Sequence, residues 1–502
     1  MRDDLGHGDA TAARGTVAGV AAGGGDATIV LPRPLWRGTT LRLPHPALRV
    51  SRPAYGVLAL GLLVAGCLAL VVFATAGPDD LVSSSGYAFP GWLAGPLHGL
   101  FGRLISDPAT LSYGFSAVLV VMTVAYGVAL ASVRLLSMRT IVIVVVAVHA
   151  VILLGPPLQL TDLFNYLGYA RLGALHHLNP YTHVIAAEVH DPVYGLTSWH
   201  HLHSPYGYAF TLLTYPLGLM PLPVAYWVLK TATVLASLAF IALVWRCARQ
   251  LGRDPRFAVL FVAANPIFLV YELGGFHNDV FMLVPAMAAI SLLLDGRDRW
   301  SGAALALAVA VKFTMVLLLP FLLLAARPPA RRTRFVAGAA AAAVPLAAVS
   351  VAAFGFTPPN LSDQSSLLTS FSVPNLLGLL LGLGGGAPIL LRTVNVALVL
   401  VVALLVARVA RGRHDWLSAA GFGTLALVAS LAWLMPWYVV WALPLAAVGA
   451  SLRLRRVALA TTVFLVLTFL PVTGIALTQL HLNPMGSAVG IASNVRAQKL
   501  AH

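Results

Sequence analysis

Residues 140–158, TIVIVVVAVHAVILLGPPL, run straight into residues 161–181, TDLFNYLGYARLGALHHLNPY. The first stretch is apolar over about the 20 residues that a bilayer-crossing helix needs. The second opens a long polar loop that continues to Gly207. It carries Asp162 directly after the apolar segment, then Asn165, Tyr166, Arg171, His176, His177 and Asn179-Pro180-Tyr181. Glu188, Asp191, Trp199 and Ser204-Pro205-Tyr206-Gly207 follow in the same loop. The chain has 17 acidic residues among 502, so Asp162, Glu188 and Asp191 in one loop concentrate a scarce chemistry. This junction predicts an all-α membrane protein whose spans hold a polar loop at one surface.

Composition agrees. The chain is 59% hydrophobic and 10% charged, with a mean hydropathy of +0.86; a soluble domain carries about a quarter charged residues. The net charge of +15 does not point to nucleic acid. Its arginines fall in short clusters between apolar runs, the pattern of cytoplasmic loops in membrane proteins. Cys67 and Cys247 lie in or beside apolar segments at opposite ends of the expected bundle, so no disulfide framework is indicated. Residues 1–52, rich in Gly, Ala, Pro and Arg, lack the short apolar core of a cleaved signal peptide and read as a poorly ordered cytoplasmic tail.

Outward from the loop, crossings are expected at 55–77, 113–133, 140–158, 223–245, 257–272, 280–294, 335–354, 387–408, 416–435, 438–452 and 457–478. Residues 207–221 contain Pro216 and Pro221 and are short, so they are expected to lie at or dip into the outer interface. That choice leaves Arg246, Arg249, Arg253 and Arg256 in the cytoplasm, as the positive-inside rule favours. Residues 301–326 have basic flanks on both sides and Lys312 in the middle, and predict a hairpin of two short helices with Lys312 near its outer tip. The expected fold is a polytopic bundle of about 11–13 helices. Residues 53–480 form its transmembrane domain, the first large outer loop carries interfacial helices, and residues 481–502 form an outer tail. This topology sends Asp79, Asp80, Asp107, Asp162, Glu188, Asp191, Glu272, Asp279 and Asp363 outward, more than half of the 17 acids.

A carboxylate at the membrane boundary, as expected for Asp162, is held by the helix near it. Partial loss of water makes such a group a better base, suited to deprotonating a sugar hydroxyl. The plainer alternative is a helix cap or a salt bridge to Arg171. His277-Asn278-Asp279 follows Gly274-Gly275 in an outer turn and offers three groups for sugar hydroxyls or phosphate; the alternative is a polar turn with Asp279 capping the next helix. Arg171, Lys230, Lys312 and Arg392 are the outer cations. Lys230 and Lys312 sit inside apolar runs, where a charge costs roughly 2.5–3.5 kcal/mol, and call for a partner: a lipid phosphate, Glu272 or Asp279. Arg392, near a helix end, can also snorkel. Trp437, Tyr438 and Trp441 suit stacking on a sugar or an aromatic belt. The loop histidines form no HExxH or other spaced ligand set, so no metal is expected.

Taken together, these residues resemble a known family. Asp162 with Tyr166, Gly173 and Leu178-Asn179-Pro180-Tyr181, then Ser204 to Gly207, Gly275 to Asp279, Lys312, and Pro436-Trp437-Tyr438 with Trp441 are similar to the actinobacterial polyprenol-phosphomannose-dependent α-1,6-mannosyltransferases. These are GT-C integral-membrane glycosyltransferases, and the resemblance covers residues 55–480. It implies a GT-C-like bundle, a polyprenyl-phosphate-mannose donor used as substrate with no cofactor, and a growing mannan on a lipid anchor as acceptor. It implies inverting transfer on the outer face with Asp162 as general base and Asp191 as second choice. Lys312 and Arg392 would stabilise the departing phosphate; Arg171, His277, Asn278, Asp279, Tyr206, Trp437 and Tyr438 would contact substrate. Membrane lipid would be a partner and nucleic acid would not. The main rivals are a transporter or flippase of lipid-linked sugars and a related enzyme using another polyprenyl-phosphate sugar. Transporters tend to place ionisable groups near the midplane among inverted repeats, whereas here the acids crowd one face and no repeat is visible.

Overall fold

The computed structural model describes residues 52–76, 90–102, 107–158 and 162–502. The N-terminal tail through residue 51, together with Asp79, Asp80 and Thr161, lies outside them. Among the described residues the chain is helical and has no strand.

Helices α1 (Pro53–Ala76), α2 (Pro108–Ala131) and α3 (Met138–Leu154) pack together ahead of the polar loop. Two short helices, α4 (Asp162–Ala174) and α5 (Tyr208–Gly218), enclose that loop and pack on each other. The close approach depends on glycine: a Cβ at Gly218 would overlap the backbone of Ala170 and Arg171. The long α6 (Leu222–Gln250) then runs from this end of the bundle to the other, about 43 Å at 1.5 Å per residue.

Residues 257–272, expected as one crossing, are instead a broken element. Helix α7 (Pro255–Ala263) stops at Asn265-Pro266, where Asn265 Oδ1 accepts from the Ile267 and Phe268 N–H groups. A π-helical turn, Phe268–Leu273, follows, and then α8 (Asp279–Leu294). The expected crossing at 438–452 is likewise a 3₁₀ turn, Pro436–Trp441, followed by a six-residue helix, Leu443–Val448. Both stretches are apolar on every side because both are buried inside the bundle.

The hairpin at 301–326 is present. Helix α9 (Asp298–Val311) ends at Lys312, whose φ of −152° and ψ of 118° are extended. A 3₁₀ turn, Phe313–Leu318, and α10 (Leu319–Ala325) lead back. Helix α11 (Pro329–Phe354) then starts beside the start of α9: Arg331 and Arg334 both pair with Asp298, at 2.7 and 3.0 Å. Both ends of the hairpin therefore share one side of the bundle and Lys312 lies at the other.

The remaining elements are α12 (Ser362–Ser365), α13 (Val373–Leu380), α14 (Pro388–Ala410), α15 (Trp416–Ser430), α16 (Leu443–Val448), α17 (Leu452–Thr468), α18 (Pro471–Gln479) and α19 (Ala488–Ala501). Residues 481–502, expected as a tail, thus include a helix. It is docked on the polar loop and on α12: His201 N–H donates to Leu500 O, and Arg496 pairs with Asp363 at 2.8 Å. Five helices, α1, α2, α6, α11 and α14, are long and apolar enough to cross a membrane. A sixth crossing results if α17 and α18, bent by 60°, count as one span. The other expected crossings fall on shorter apolar helices or on the broken elements.

The arginine clusters meet at one end. Arg256 reaches the backbone oxygens of Arg134 and Leu136, Arg246 pairs with Asp295, Arg327 donates to Ala410 O, and Arg455 donates to Ala446 and Gly449. Asp162, the turn at 274–279 and Lys312 occupy the opposite end.

Candidate active site

Asp162 opens α4, where a carboxylate interacts favourably with the helix dipole. Its side chain is 17% exposed. The rest of α4 is buried almost throughout and anchors the loop: Asn165 Oδ1 accepts from the N–H groups of Ser198 and Trp199, and Tyr169 Oη donates to Leu202 O at 2.7 Å. Across from it, the π-helical turn and the left-handed Phe276 (φ 52°) turn the chain so that His277, Asn278 and Asp279 enter the interior at the start of α8. Tyr166 joins the two walls, its Oη accepting from Asn278 N–H at 3.1 Å.

Asp279 is the best-held group. Its Oδ1 accepts from Lys312 Nζ at 2.7 Å and from Trp441 Nε1 at 2.6 Å, and its side chain is 1% exposed. Lys312, broken out of the helix at the hairpin tip, also lies 5.4 and 5.0 Å from the ring centres of Tyr438 and Trp441, within cation–π range. His277 stacks on Trp437 with ring centres 3.7 Å apart. Its Nδ1 is 3.3 Å from Asp162 Oδ2, at an angle that falls short of a hydrogen bond. Burial, reinforced by the Asp162 carboxylate, raises the Tyr166 and Tyr206 hydroxyls well above the ordinary tyrosine value, so both remain protonated donors at neutral pH.

These groups line one cavity of about 380 Å³, which contains Asp162, Tyr166, Tyr206, His277, Asn278, Asp279, Lys312, Trp437 and Tyr438 on its wall. Among the described residues, nine buried side-chain nitrogen or oxygen atoms lack a hydrogen-bond partner, and four of them belong to His277, Asn278 and Asp279 on this wall. Burying a polar atom unpaired costs about 1–3 kcal/mol. Such a concentration at one spot is what a site completed by a polar ligand looks like.

A second space, about 1150 Å³, adjoins the cavity and shares Pro205, Lys312, Gln364, Trp433 and Tyr438 with it. Its wall is largely apolar and includes Arg392, at the start of α14, and Arg496. Arg392 is therefore on the neighbouring groove and not on the cavity itself.

Two of the expected contact residues lie elsewhere. Arg171 pairs with Asp191 at 2.8 Å, not with Asp162, and His176 Nε2 meets the other Asp191 oxygen at 2.7 Å. Neither Arg171 nor Asp191 lines the cavity. Burial alone would raise the Asp191 carboxyl, but hydrogen bonds from Arg171, His176 and the Val193 N–H outweigh it and hold it below the usual carboxylate range. Lys230 also departs from expectation. It pairs with neither Glu272 nor Asp279 but donates to the carbonyls of Leu153 and Gly155, within a cage of Tyr226, Trp227 and Phe276. It thus closes the end of α3. Asp279 does not cap α8 through its side chain either: its Oδ1 accepts from Lys312 and Trp441, and its Oδ2 has no hydrogen-bond partner.

Sequence reasoning gave no site role to Trp199, Trp433 or Gln364. Trp433 stands in none of the motifs, and its place depends on how α15 ends; no local signal marks it.

Fold and site together define a helical, polytopic membrane protein with a buried polar and aromatic cavity at the end of the bundle opposite its arginines. The family comparison is specific. Residues 56–328 match the model for the alpha-(1->6)-mannopyranosyltransferase N-terminal domain, and residues 369–495 match the MptB C-terminal domain, so the chain belongs to this family. The second match extends past residue 480, where the resemblance read from sequence ended. Among curated relatives, alpha-(1->6)-mannopyranosyltransferase A of Mycobacterium tuberculosis is 30% identical over 185 residues, 34% of each chain. The protein of the same name from Corynebacterium glutamicum is 36% identical over 78 residues, 15% of this chain and 16% of that one. The chain thus aligns with about a third or less of these relatives' length. No solved structure matches.

Proposed function

We propose that the protein transfers mannose from a polyprenyl-phosphate donor to a lipid-anchored mannan acceptor, forming an α-1,6 linkage with inversion. Family membership supports mannosyl transfer. The observation that carries the chemistry is the single cavity with a partly exposed carboxylate, Asp162, and a lysine, Lys312, on its wall. An acceptor hydroxyl attacks the anomeric carbon on the face opposite the phosphate. Asp162 takes the hydroxyl proton as the new C–O bond forms. The bond to the phosphate oxygen breaks, its electron pair stays on that oxygen, and Lys312 stabilises the added charge. This leaving group departs ionised and needs a cation more than an acid.

His277, Asn278 and the free Asp279 oxygen then supply the hydrogen bonds that their unpartnered atoms call for, and Tyr206, Trp437 and Tyr438 bound the sugar. Trp437 has one face covered by His277, so only the other is open for stacking. The adjoining groove offers an apolar path for the isoprenoid chain, with Arg392 near the lipid phosphate. The cavity lies opposite the arginine-rich end, which the positive-inside rule assigns to the cytoplasm; this supports action at the outer face of the cell membrane with the N-terminus inside. No cofactor enters the scheme.

Asp162→Asn tests it. Membranes containing wild-type protein should transfer labelled mannose from the polyprenyl-phosphate donor. The variant, expressed and inserted equally, should lose about 10²–10⁴-fold, the usual contribution of a general base. Wild-type turnover in the variant would discard Asp162 as the base.

A further inference from the structure

The cavity has a floor and a rim, and the two differ in character. The floor residues His277, Asn278 and Asp279 are 1–2% exposed. At the rim, Trp199, Trp433, Gln364, Thr369 and Pro205 are half-buried. Trp199 and Trp433 face each other edge to face, ring centres 6.0 Å apart and planes at 77°. Leu202 and Leu367 lie beneath them, with Leu500 of α19. The rings are held by separate segments: Asn165 fixes the Trp199 backbone from α4, while Thr369 Oγ1 accepts from the N–H of Leu434, beside Trp433. Gln364 stands between the cavity and the groove on α12, which the Asp363–Arg496 pair ties to α19. Its side-chain amide makes no hydrogen bond among the described residues.

This half-buried pair of perpendicular indoles lines the mouth of the cavity. Beside it stands an amide free to donate and accept. Aromatic faces with adjacent amide groups suit a ligand that is apolar on its faces and hydroxylated at its edges, which is a pyranose. From this geometry we infer that Trp199, Trp433 and Gln364 form a saccharide subsite at the rim. It holds the acceptor sugar next to the reacting one, while the reacting hydroxyl reaches Asp162 at the floor. The inference rests on the mannosyl-transfer reading and deepens it: the acceptor is recognised as an oligosaccharide of at least two residues.

The test compares an alkyl α-mannoside with the corresponding alkyl α-1,6-dimannoside as acceptor, using full-length protein in detergent and a short-chain polyprenyl-phosphate-mannose donor. The wild type should prefer the dimannoside in kcat/KM by about tenfold, the equivalent of one favourable aromatic contact. Trp199→Leu and Trp433→Leu, which keep apolar packing but lose the ring, should collapse that preference towards unity. Trp199→Phe and Trp433→Phe should retain most of it. Donor KM, read in parallel for the Trp199 variants, whose ring lines the cavity but not the groove, should stay within twofold. Absence of any preference in the wild type overturns the subsite whether or not the variants fold. So does a preference that survives both leucine substitutions, or a loss in Trp199→Leu that falls on donor KM. A wild type that transfers no mannose to either acceptor would instead refute the underlying function.

Discussion

The Lys312–Asp279 pair allows the fold and the chemistry to be separated by a double-mutant cycle of Asp279→Asn and Lys312→Met. At 2.7 Å and an effective dielectric near 20, the gross attraction between the two charges is about 6 kcal/mol. Loss of hydration offsets much of this, so the pair contributes little net stability, yet removing one partner strands the other at a cost of about 3–5 kcal/mol. The two singles should differ. Lys312 is 22% exposed and regains some water when Asp279 is neutralised, which puts Asp279→Asn near 3 kcal/mol. Asp279 is 1% exposed and keeps only Trp441 when Lys312 is lost, which puts Lys312→Met near the upper figure. The double variant strands no charge, and the amide oxygen that Asp279→Asn introduces can still accept from Trp441, so it should recover to within about 2 kcal/mol of wild type. The cycle is then non-additive by about 6 kcal/mol. Activity should not recover: with its phosphate cation gone, the double variant should stay about 10²–10³-fold slow, the range seen when a leaving-group stabiliser is deleted. Thermal unfolding in detergent and initial rates of mannose transfer read the two quantities. Additive destabilisation would refute the pair as an energetic unit, and wild-type kcat in Lys312→Met would remove Lys312 from the phosphate.

Four other outcomes are expected. Because the folded-state pKa of Asp191 is held below its unfolded value of about 3.9, its stabilisation is fully present above that pH. It is lost as pH falls through the lower folded value; protection from amide exchange in residues 175–206, relative to the intrinsic rate at each pH, should therefore fall below about pH 4. Asp191→Asn, which strands Arg171, should loosen the same loop at neutral pH by about 3–5 kcal/mol. A Cβ at Gly207 would overlap the carbonyl oxygens of Ala310 and Val311, the backbone just before Lys312, so Gly207→Ala should cost about 1–3 kcal/mol by overpacking and lower transfer by displacing Lys312, both measurable on purified protein. Glu272→Gln should stay within about 1 kcal/mol of wild type in thermal unfolding, since both oxygens of Glu272 are buried without a partner and the amide keeps nearly the same shape and carries no charge.

What was legible in the chain follows from the range over which each signal acts. The hairpin around Lys312 was readable because charge on both flanks is a local constraint on sidedness, and the Arg331–Asp298 contact meets it. The junction at Asp162 was readable because apolar length and a following carboxylate lie side by side in the sequence. The breaks inside 257–272 and 438–452, which still run from one end of the bundle to the other, were not legible for the opposite reason. Hydropathy reports that a segment avoids water but not whether lipid or protein replaces it, and both segments are buried by neighbouring helices. The partner of a charge is equally non-local. Arg171 could have met Asp162, nine residues away, but meets Asp191, and Lys230 finds backbone carbonyls that no side-chain inventory would offer.

The same reasoning explains why the floor of the cavity emerged from the sequence and its rim did not. Floor groups are polar residues in apolar surroundings, and the cost of burying them marks each one wherever it stands. Rim groups are tryptophans, which sit in membrane proteins for several reasons, and only the approach of the 196–205 segment to the end of α15 selects Trp199 and Trp433 from the ten in the chain. A carboxylate–lysine pair deep in the bundle serves the bond that breaks. The aromatic mouth faces the part of the acceptor that the chemistry does not touch. Substitutions at the floor should therefore fall on kcat and those at the rim on the choice of acceptor. Variants at Asp279 and Trp433 that shifted both quantities alike would show that the cavity works as one undivided surface.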